Sequence, residues 1–423
     1  MITFYRYQVL ALLYLAMALY ITVLRNPIVI TIFDLMLLSI MLFDNRNIRF
    51  RSKIPTDTNL VRYLFTLLIM LVIHMDLGSS LKEIIQMVEV YLFYVIIVSY
   101  FDDYSDLNSD NYLKFLQTMA KVLFYGLIIA FVIDWFSPIK RNLLNFLAIP
   151  LLIISVLTFF YETKIKFWLL SNKFYAASAS FFSLAVISYE NSRAALLFFV
   201  IFIMILSTNI KKRYVLGVIA LSLASISLFN FYVDQIQTET FASLRYTEDG
   251  RQIYTENLSV SATRGLTSLQ VIFENFDSIV DFITTPDAGI LSQNIYGSNY
   301  ERLFQVKFVY QAFVNNPIFG LGPNKAAEIA NVHGIILVTI ADFGLVGLTI
   351  LSLYIINTYR KVRRIINTDE LFDMFLYYYF IYAVIVLAFV SAGLLPFIPF
   401  VFVSTLIHIR YHSLLSRGSL INN

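Results

Sequence analysis

The chain contains no cysteine and few charged residues. Of its 423 residues, four are His and only 14% are Asp, Glu, Lys or Arg. The absence of cysteine excludes disulfides, cysteine nucleophiles and thiolate metal sites. Four histidines offer few ligands for a histidine-based metal site. A net charge of +3 is too small to indicate a nucleic-acid partner. We therefore expect no metal, no other cofactor and no nucleic acid.

About a quarter of the residues of a soluble domain are charged, so the 14% in this chain is low. Hydrophobic residues, in contrast, make up 59% of the chain. Apolar runs close to the length of a membrane span predict an all-α polytopic membrane protein with about twelve transmembrane helices. The first run has no small-residue cleavage site after it, which indicates a retained span rather than a signal peptide. The predicted spans are 7–24, 27–43, 59–76, 82–101, 117–136, 143–161, 174–190, 193–209, 214–233, 333–357, 372–392 and 395–412.

Basic residues orient these spans, because short cytoplasmic loops are enriched in Lys and Arg. Four basic clusters follow the second, sixth, eighth and tenth predicted spans. Because all four clusters follow even-numbered spans, both termini are predicted to be cytoplasmic. Only Arg25, Lys82 and the basic pair at 140–141 would then lie on the outer side, where basic residues are not expected. The clusters are Arg46, Arg49, Arg51 and Lys53; Lys164, Lys166 and Lys173; Lys211, Lys212 and Arg213; and Arg360, Lys361, Arg363 and Arg364.

This orientation divides the chain into three parts. Residues 1–233 hold transmembrane helices one to nine, 234–332 form an outer loop domain, and 333–423 hold helices ten to twelve and a cytoplasmic C-terminus. The loop has 11 acidic and 6 basic residues, and a segment of this length without a span indicates a small domain. Apolar patterning predicts helices within Ser268–Phe282 and Leu303–Val314. Prolines and glycines then predict a turn before the next span, at Pro317, Gly320, Gly322 and Pro323.

His333 opens the apolar run after this turn, and glycines follow it. At about 100° per residue, Gly344 lies roughly 20° and Gly347 roughly 40° from the direction of His333. We therefore expect a neighbouring helix to approach closely on the histidine side of this span. The alternative is that His333 is a wetted interfacial residue.

Several arginines share the outer side of the membrane with His333. Arg193 begins the eighth span, and Arg264 and Arg302 lie in the loop. A guanidinium binds phosphate oxygens in a bidentate manner, and a neutral imidazole can accept a hydroxyl proton. Together they suit a phosphate-bearing leaving group and a hydroxyl nucleophile. Alternatively, Arg193 snorkels or pairs with Glu190, and loop arginines are solvated partners of carboxylates.

Three of these features resemble the bacterial O-antigen polymerase and O-antigen ligase superfamily, multi-span glycosyltransferases with one large periplasmic loop. Arg302 precedes an amphipathic stretch and a Pro-x-x-Gly-x-Gly-Pro pattern that begins fifteen residues later. His333 with Gly344 and Gly347 is similar to the family's histidine-and-glycine motif. Arg193, in SRAALLFF, resembles an arginine at the outer end of a mid-chain span. The residue after the histidine departs from the family's Asn, Ser or Gln, since it is Gly334. The likeness covers spans seven to ten.

The resemblance implies transfer of glycan from an undecaprenyl pyrophosphate carrier to a sugar hydroxyl, without a nucleotide sugar and, for the ligases, without a metal. His333 is then the general base, and Arg302, Arg193 and Arg264 bind the pyrophosphate. One base without a carboxylate nucleophile indicates direct, inverting displacement. The implied location is the bacterial inner membrane, with the site facing the periplasm. The implied partners are the lipid-linked glycan, membrane lipid, a flippase and a chain-length regulator.

The acceptor is left open by the sequence. A polymerase adds the growing chain to another lipid-linked repeat unit, whereas a ligase adds it to lipid A core. We favour a polymerase because polymerases are the more numerous and diverse group. A polysaccharide transporter or flippase is the third alternative, but the inverted repeats and broken helices expected of a transporter are not apparent in the sequence.

Overall fold

The computed structural model describes residues 2–19, 22–24, 30–44, 54–74, 77–102, 109–136, 144–160, 172–190, 193–209, 276–285, 298–330, 332, 334–366, 370–389 and 397–418. Its elements are α1 (Ile2–Leu19), β1 (Thr22–Leu24), β2 (Ile30–Thr31), α2 (Ile32–Phe43), α3 (Thr58–His74), α4 (Leu77–Asp102), α5 (Ser109–Phe136), α6 (Asn145–Phe160), α7 (Asn172–Glu190), α8 (Arg193–Asn209), α9 (Phe276–Thr284), α10 (Ser298–Asn315), α11 (Lys325–Ala330), α12 (Ile335–Ile365), α13 (Leu371–Phe389) and α14 (Phe397–Ser416).

The protein is an α-helical membrane protein, as its apolar runs predict. Within the described ranges, five helices are long and apolar enough to cross a bilayer, and they lie in α4, α5, α12, α13 and α14. Shorter apolar helices occupy the remaining predicted spans except 214–233, which lies outside the described residues. The predicted helix within Leu303–Val314 is confirmed by α10. Part of the other predicted loop helix appears as α9.

The predicted boundaries of the first two spans are wrong. Residues 22–24 and 30–31 form a short antiparallel pair, β1 with β2, and are rich in β-branched side chains, which favour strands. The next helix starts only after Thr31 because a capping box fixes its first turn. The Asp34 carboxylate accepts from the Thr31 backbone N–H at 2.6 Å, and the Thr31 hydroxyl accepts from the Asp34 N–H at 3.3 Å.

The chain forms two compact units, 1–122 with 276–423, and 123–275, so the boundary falls within α5. In the first unit, α12 packs against α3, α10, α13 and α14, and α14 also packs against α4. Three tyrosines of α13, Tyr378, Tyr379 and Tyr382, are buried, and the Tyr379 hydroxyl bonds to that of Tyr14. In the second unit, α6 packs along α7.

Candidate functional site

The predicted turn between α10 and α12 is joined to a break in α12. Gly344 has φ 59° and ψ −150°, a backbone conformation that is essentially restricted to glycine. In an unbroken helix, the N–H groups of Leu345 and Val346 would donate to the carbonyl oxygens of Ala341 and Asp342. Here all four of these groups form hydrogen bonds with the turn instead. These bonds are Leu345 N to Pro317 O at 2.8 Å, Val346 N to Ile318 O at 3.2 Å, Leu321 N to Ala341 O at 2.8 Å and Gly322 N to Asp342 O at 3.0 Å.

Glycine is required on both sides of this contact. A Cβ added to Gly320, whose φ is +71°, would lie 2.4 Å from the backbone carbon of Asp342. One added to Gly344 would lie 2.7 Å from the backbone carbon of Ile318. The turn and the broken helix therefore approach to backbone contact, which any side chain at these two positions would prevent.

The prediction that a neighbouring helix packs closely at Gly344 is therefore wrong, because the close neighbour is the turn. At Gly347, the atoms nearest to an added Cβ belong to the side chains of Phe343 and Thr339 of the same helix. The predicted angles also do not apply, since Gly334, with φ 90°, precedes the helix and Gly344 interrupts it.

Asp342 ties the residues after the turn to the same break. Its side chain is buried, and Oδ1 accepts a hydrogen bond from the backbone N–H of Ala326, in the first turn of α11, at 2.7 Å. An apolar cluster joins the same elements, with α10, α11, residue 332 and α12 all contributing. Its buried members are Val309, Ala312, Ala326, Val332 and Ala341.

Of the four residues predicted to form the site, the structure fully describes one. Arg302 lies on α10 and is exposed. Arg193 is the first residue of α8, in the second unit, and its side chain lies outside the described part. Arg264 and His333 also lie outside the described residues. The structure thus describes Val332 and Gly334, the residues on either side of His333. That Arg302 lies close to the imidazole stays a prediction.

His74 also lies in this region, although no sequence pattern predicts a role for it. It ends α3, and its ring Cδ2 would lie 2.9 Å from a Cβ added to Gly322, so the imidazole packs directly on the turn. Its Nδ1 is 2.9 Å from the carbonyl oxygen of Met70. A carbonyl oxygen can only accept, so Nδ1 is the donor, and in neutral His74 the lone pair is on Nε2.

A polar cluster lies towards the other end of α12. Lys361 Nζ is 2.8 Å from His408 Nδ1 and 3.3 Å from Asp57 Oδ1. His408 Nε2 is 2.6 Å from the carbonyl oxygen of Pro55, which can only accept, so Nε2 donates. Nδ1 then accepts from the Lys361 ammonium, and His408 is neutral. This cluster connects α12 and α14 to the residues that precede α3.

A second ionic cluster is buried between α13 and α14. Arg410 makes a bidentate contact with Asp373, at 2.8 and 2.9 Å, and reaches Glu370 at 2.6 Å. Its guanidinium carbon lies 4.8 Å from the ring centre of Tyr112. Burial raises the pKa of the Glu370 carboxyl, and the positive charge of Arg410 offsets part of this increase in pKa. The arrangement pairs a buried cation with buried and half-buried carboxylates and holds the two helices together.

The sequence interpretation missed both clusters, although one signal was present. His408, Arg410 and Asp373 lie inside predicted spans, where ionisable groups are costly and are expected to have partners. The partners themselves could not be identified, because Lys361 and Asp57 are 304 positions apart.

Comparison of the chain with protein-family models and with curated proteins finds no match. The functional interpretation therefore rests on the residues and on the arrangement of the turn, α10 and α12.

Proposed function

We propose that this protein is a membrane glycosyltransferase that polymerises undecaprenyl-pyrophosphate-linked oligosaccharide repeat units on the periplasmic side of the bacterial inner membrane. In this proposal about twelve helices span the bilayer, and residues 234–332 lie on the outer side. The observation that carries the proposal is the four-bond junction between the turn and the break in α12. Through it, the helix with Arg302 is fixed to the helix that begins two residues after His333.

The packing of α10 supports a common site for Arg302 and His333. Val309 and Ala312 of α10 pack in one cluster with Val332 and Ala341, so α10 lies beside the residue that precedes His333. Arg302 is seven residues before Val309 on the same helix, a distance of about 10 Å along its axis. In our proposal, one pyrophosphate with its attached sugar contacts both Arg302 and His333.

The proposed chemistry needs one base and several cations. His333 takes the proton of the acceptor hydroxyl, whose oxygen attacks the anomeric carbon of the donor sugar. The bond from that carbon to the pyrophosphate oxygen breaks, and the pyrophosphate leaves with the electron pair. Arg302, Arg193 and Arg264 neutralise the charge that develops on the leaving group. Because attack is direct, the anomeric configuration is inverted.

A transporter is less consistent with the described residues, although one feature expected of it is present. Transporters place broken helices at their binding sites, where the freed backbone groups bind the substrate. The helix α12 is broken at Gly344. However, the turn itself occupies the backbone groups at this break, so the break serves to attach α10 and α11 instead of binding a solute.

The activity test uses the purified protein with lipid-linked repeat units in the presence of a chelator. We expect His333→Ala to reduce transfer by about 10² to 10⁴, as loss of a general base does. Arg302→Lys should also fail, because an ammonium keeps the charge but loses the bidentate fork. Arg251 lies in the same loop and has no role in the proposed mechanism, so Arg251→Ala is the matched control and should retain activity. Transfer by His333→Ala at the rate of the unsubstituted protein, or a strict metal requirement, would contradict the mechanism.

Glycan analysis of a deletion strain distinguishes the two acceptors. Loss of a polymerase leaves a single repeat unit on the lipid A core, which is the result we expect. Intact polymer that stays on the lipid carrier would instead identify a ligase.

A further inference from the structure

The side of α12 that faces away from the bundle forms one continuous stripe. After the break at Gly344, exposed residues recur every three or four positions. They are Leu345, Thr349, Leu353, Ile356, Arg360 and Arg363. Because α12 is long and apolar enough to cross a bilayer, the apolar part of the stripe faces lipid, and its basic end lies at one membrane surface.

The length of α12 gives the depth of Leu345 in the bilayer. Leu345 lies 15 residues before Arg360 and 19 before Arg364, which correspond to about 22 and 28 Å along a helix. The hydrocarbon core of a bilayer is about 30 Å thick. With the arginines at one surface, Leu345 therefore lies inside the hydrocarbon near the opposite surface.

The neighbouring helix α3 gives a second, independent measure. Asp57, directly before α3, contacts Lys361 near the basic end of α12, and His74, at the other end of α3, contacts the turn at Gly322. The 17 residues of α3 extend about 25 Å. The turn is thus separated from the basic end by slightly less than the thickness of the hydrocarbon, in agreement with the estimate from α12.

The turn extends the apolar stripe. Ile318 and Phe319 are 55% and 45% exposed, and Leu345 is 52% exposed. The backbone bonds from Leu345 to Pro317 and from Val346 to Ile318 hold the turn at the depth of the break. Unsatisfied backbone groups are costly at such a depth, and the junction with α12 bonds the carbonyl oxygens of Pro317 and Ile318 and the N–H groups of Leu321 and Gly322.

We propose that Ile318, Phe319 and Leu345 form a lipid-contact patch that binds the acyl chains of membrane phospholipids, in the leaflet opposite Arg360, Arg363 and Arg364. The continuity of the patch with the lipid-facing stripe of α12 favours acyl chains over water, a second copy of the chain or another segment. The patch holds the turn in the membrane and thereby keeps α10 at the bilayer surface. This inference does not depend on the proposed glycosyltransferase activity.

The chain has no cysteine, so single cysteines can carry a nitroxide label without further substitutions. We would label Ile318→Cys and Phe319→Cys in lipid nanodiscs and measure collision with oxygen, which concentrates in hydrocarbon, and with a water-soluble nickel chelate. Leu353→Cys is the lipid-facing control. Glu328→Cys is the aqueous control, because Glu328 is exposed and paired with Lys325 at 3.1 Å.

We expect the labels at 318 and 319 to be closer to Leu353→Cys than to Glu328→Cys, with several-fold more oxygen contact and less nickel contact than Glu328→Cys. Nickel contact equal to that of Glu328→Cys would overturn the proposal in favour of water. Exclusion of both reagents would overturn it in favour of a protein cover.

A measurement on the unsubstituted chain guards against misfolding of the labelled variants. Phospholipid with a diazirine on its acyl chain is photolysed in nanodiscs, and the modified peptides are identified by mass spectrometry. The peptide with Ile318 and Phe319 should be modified as strongly as the peptide with Leu353, and more strongly than the peptide with Glu328. Modification no stronger than that of the Glu328 peptide would overturn the proposal.

Discussion

Arg410 shows how individual charged residues are accommodated in this apolar molecule. It is only 1% exposed, and its guanidinium is bonded to Asp373 and Glu370. A buried ion pair adds little net stability compared with apolar residues of similar size, but removal of one partner is strongly destabilising. Arg410 and Asp373 were visible in the sequence as charged residues within predicted spans. Their pairing, across 37 positions, depends on how α13 and α14 pack.

We predict that Arg410→Met and Asp373→Leu each destabilise the protein by about 3–5 kcal/mol, because each leaves one buried charge without its main partner. The double variant Arg410→Met/Asp373→Leu should lose much less than the sum of these two effects, since no uncompensated charge remains. Thermal unfolding of the four proteins in detergent, followed by size-exclusion chromatography, measures the coupling.

Glu370→Gln is the matched control for the ion pair. The Glu370 side chain is 34% exposed, so solvent screens its contact with Arg410, and burial raises its pKa. Neutralisation of this carboxyl should therefore change stability much less than Asp373→Leu. Strictly additive losses in the double variant would contradict the interpretation of Arg410 and Asp373 as a coupled pair.

At the scale of elements, local sequence predicts where most helices lie but not where α2 begins or where α12 breaks. Apolar runs predict helices because a membrane span requires them. The start of α2 depends on the reciprocal bonds of Thr31 and Asp34, a capping pattern that hydropathy alone does not include. The break at Gly344 forms because the turn supplies alternative hydrogen-bond partners, and these come from 20 to 28 positions earlier in the chain.

The glycines of the junction yield a prediction with an internal control. Gly320→Ala and Gly344→Ala place a Cβ against backbone at 2.4 and 2.7 Å and also require a positive φ. Gly418→Ala also requires a positive φ, of +66°, but meets nothing within 4 Å. We expect Gly418→Ala to cost only the backbone strain, about 1–2 kcal/mol, and the two junction variants to cost clearly more.

Thermal unfolding compares the three glycine variants, and limited proteolysis between α10 and α12 reports on the junction itself. Gly320→Ala and Gly344→Ala should expose this segment to protease, whereas Gly418→Ala should not. If the three variants lose equal stability, backbone contact between the turn and the break does not contribute to folding.

At the scale of the whole molecule, the class of protein follows from composition, while the candidate site follows only in part. Scarce charge and long apolar runs predict an α-helical membrane protein, and the helices in the described ranges agree. The order of Arg302, the turn and His333 along the chain predicts that they are neighbours. The junction that brings the turn onto α12 could not be predicted, because it requires a helix to break at a residue inside an apolar run.

The orientation of the molecule is the last prediction, and it follows from the four basic clusters. All four follow even-numbered predicted spans, so we expect Lys211 to be cytoplasmic and Thr255 periplasmic. A fluorescent protein that folds only in the cytoplasm should be bright when fused at Lys211, and alkaline phosphatase, active only in the periplasm, should be active when fused at Thr255. Activity of either reporter at the other position would reverse the orientation. The reversed orientation would place Arg302 and His333 on the cytoplasmic side, away from lipid-linked repeat units in the periplasm, and would thereby also remove the proposed polymerase reaction.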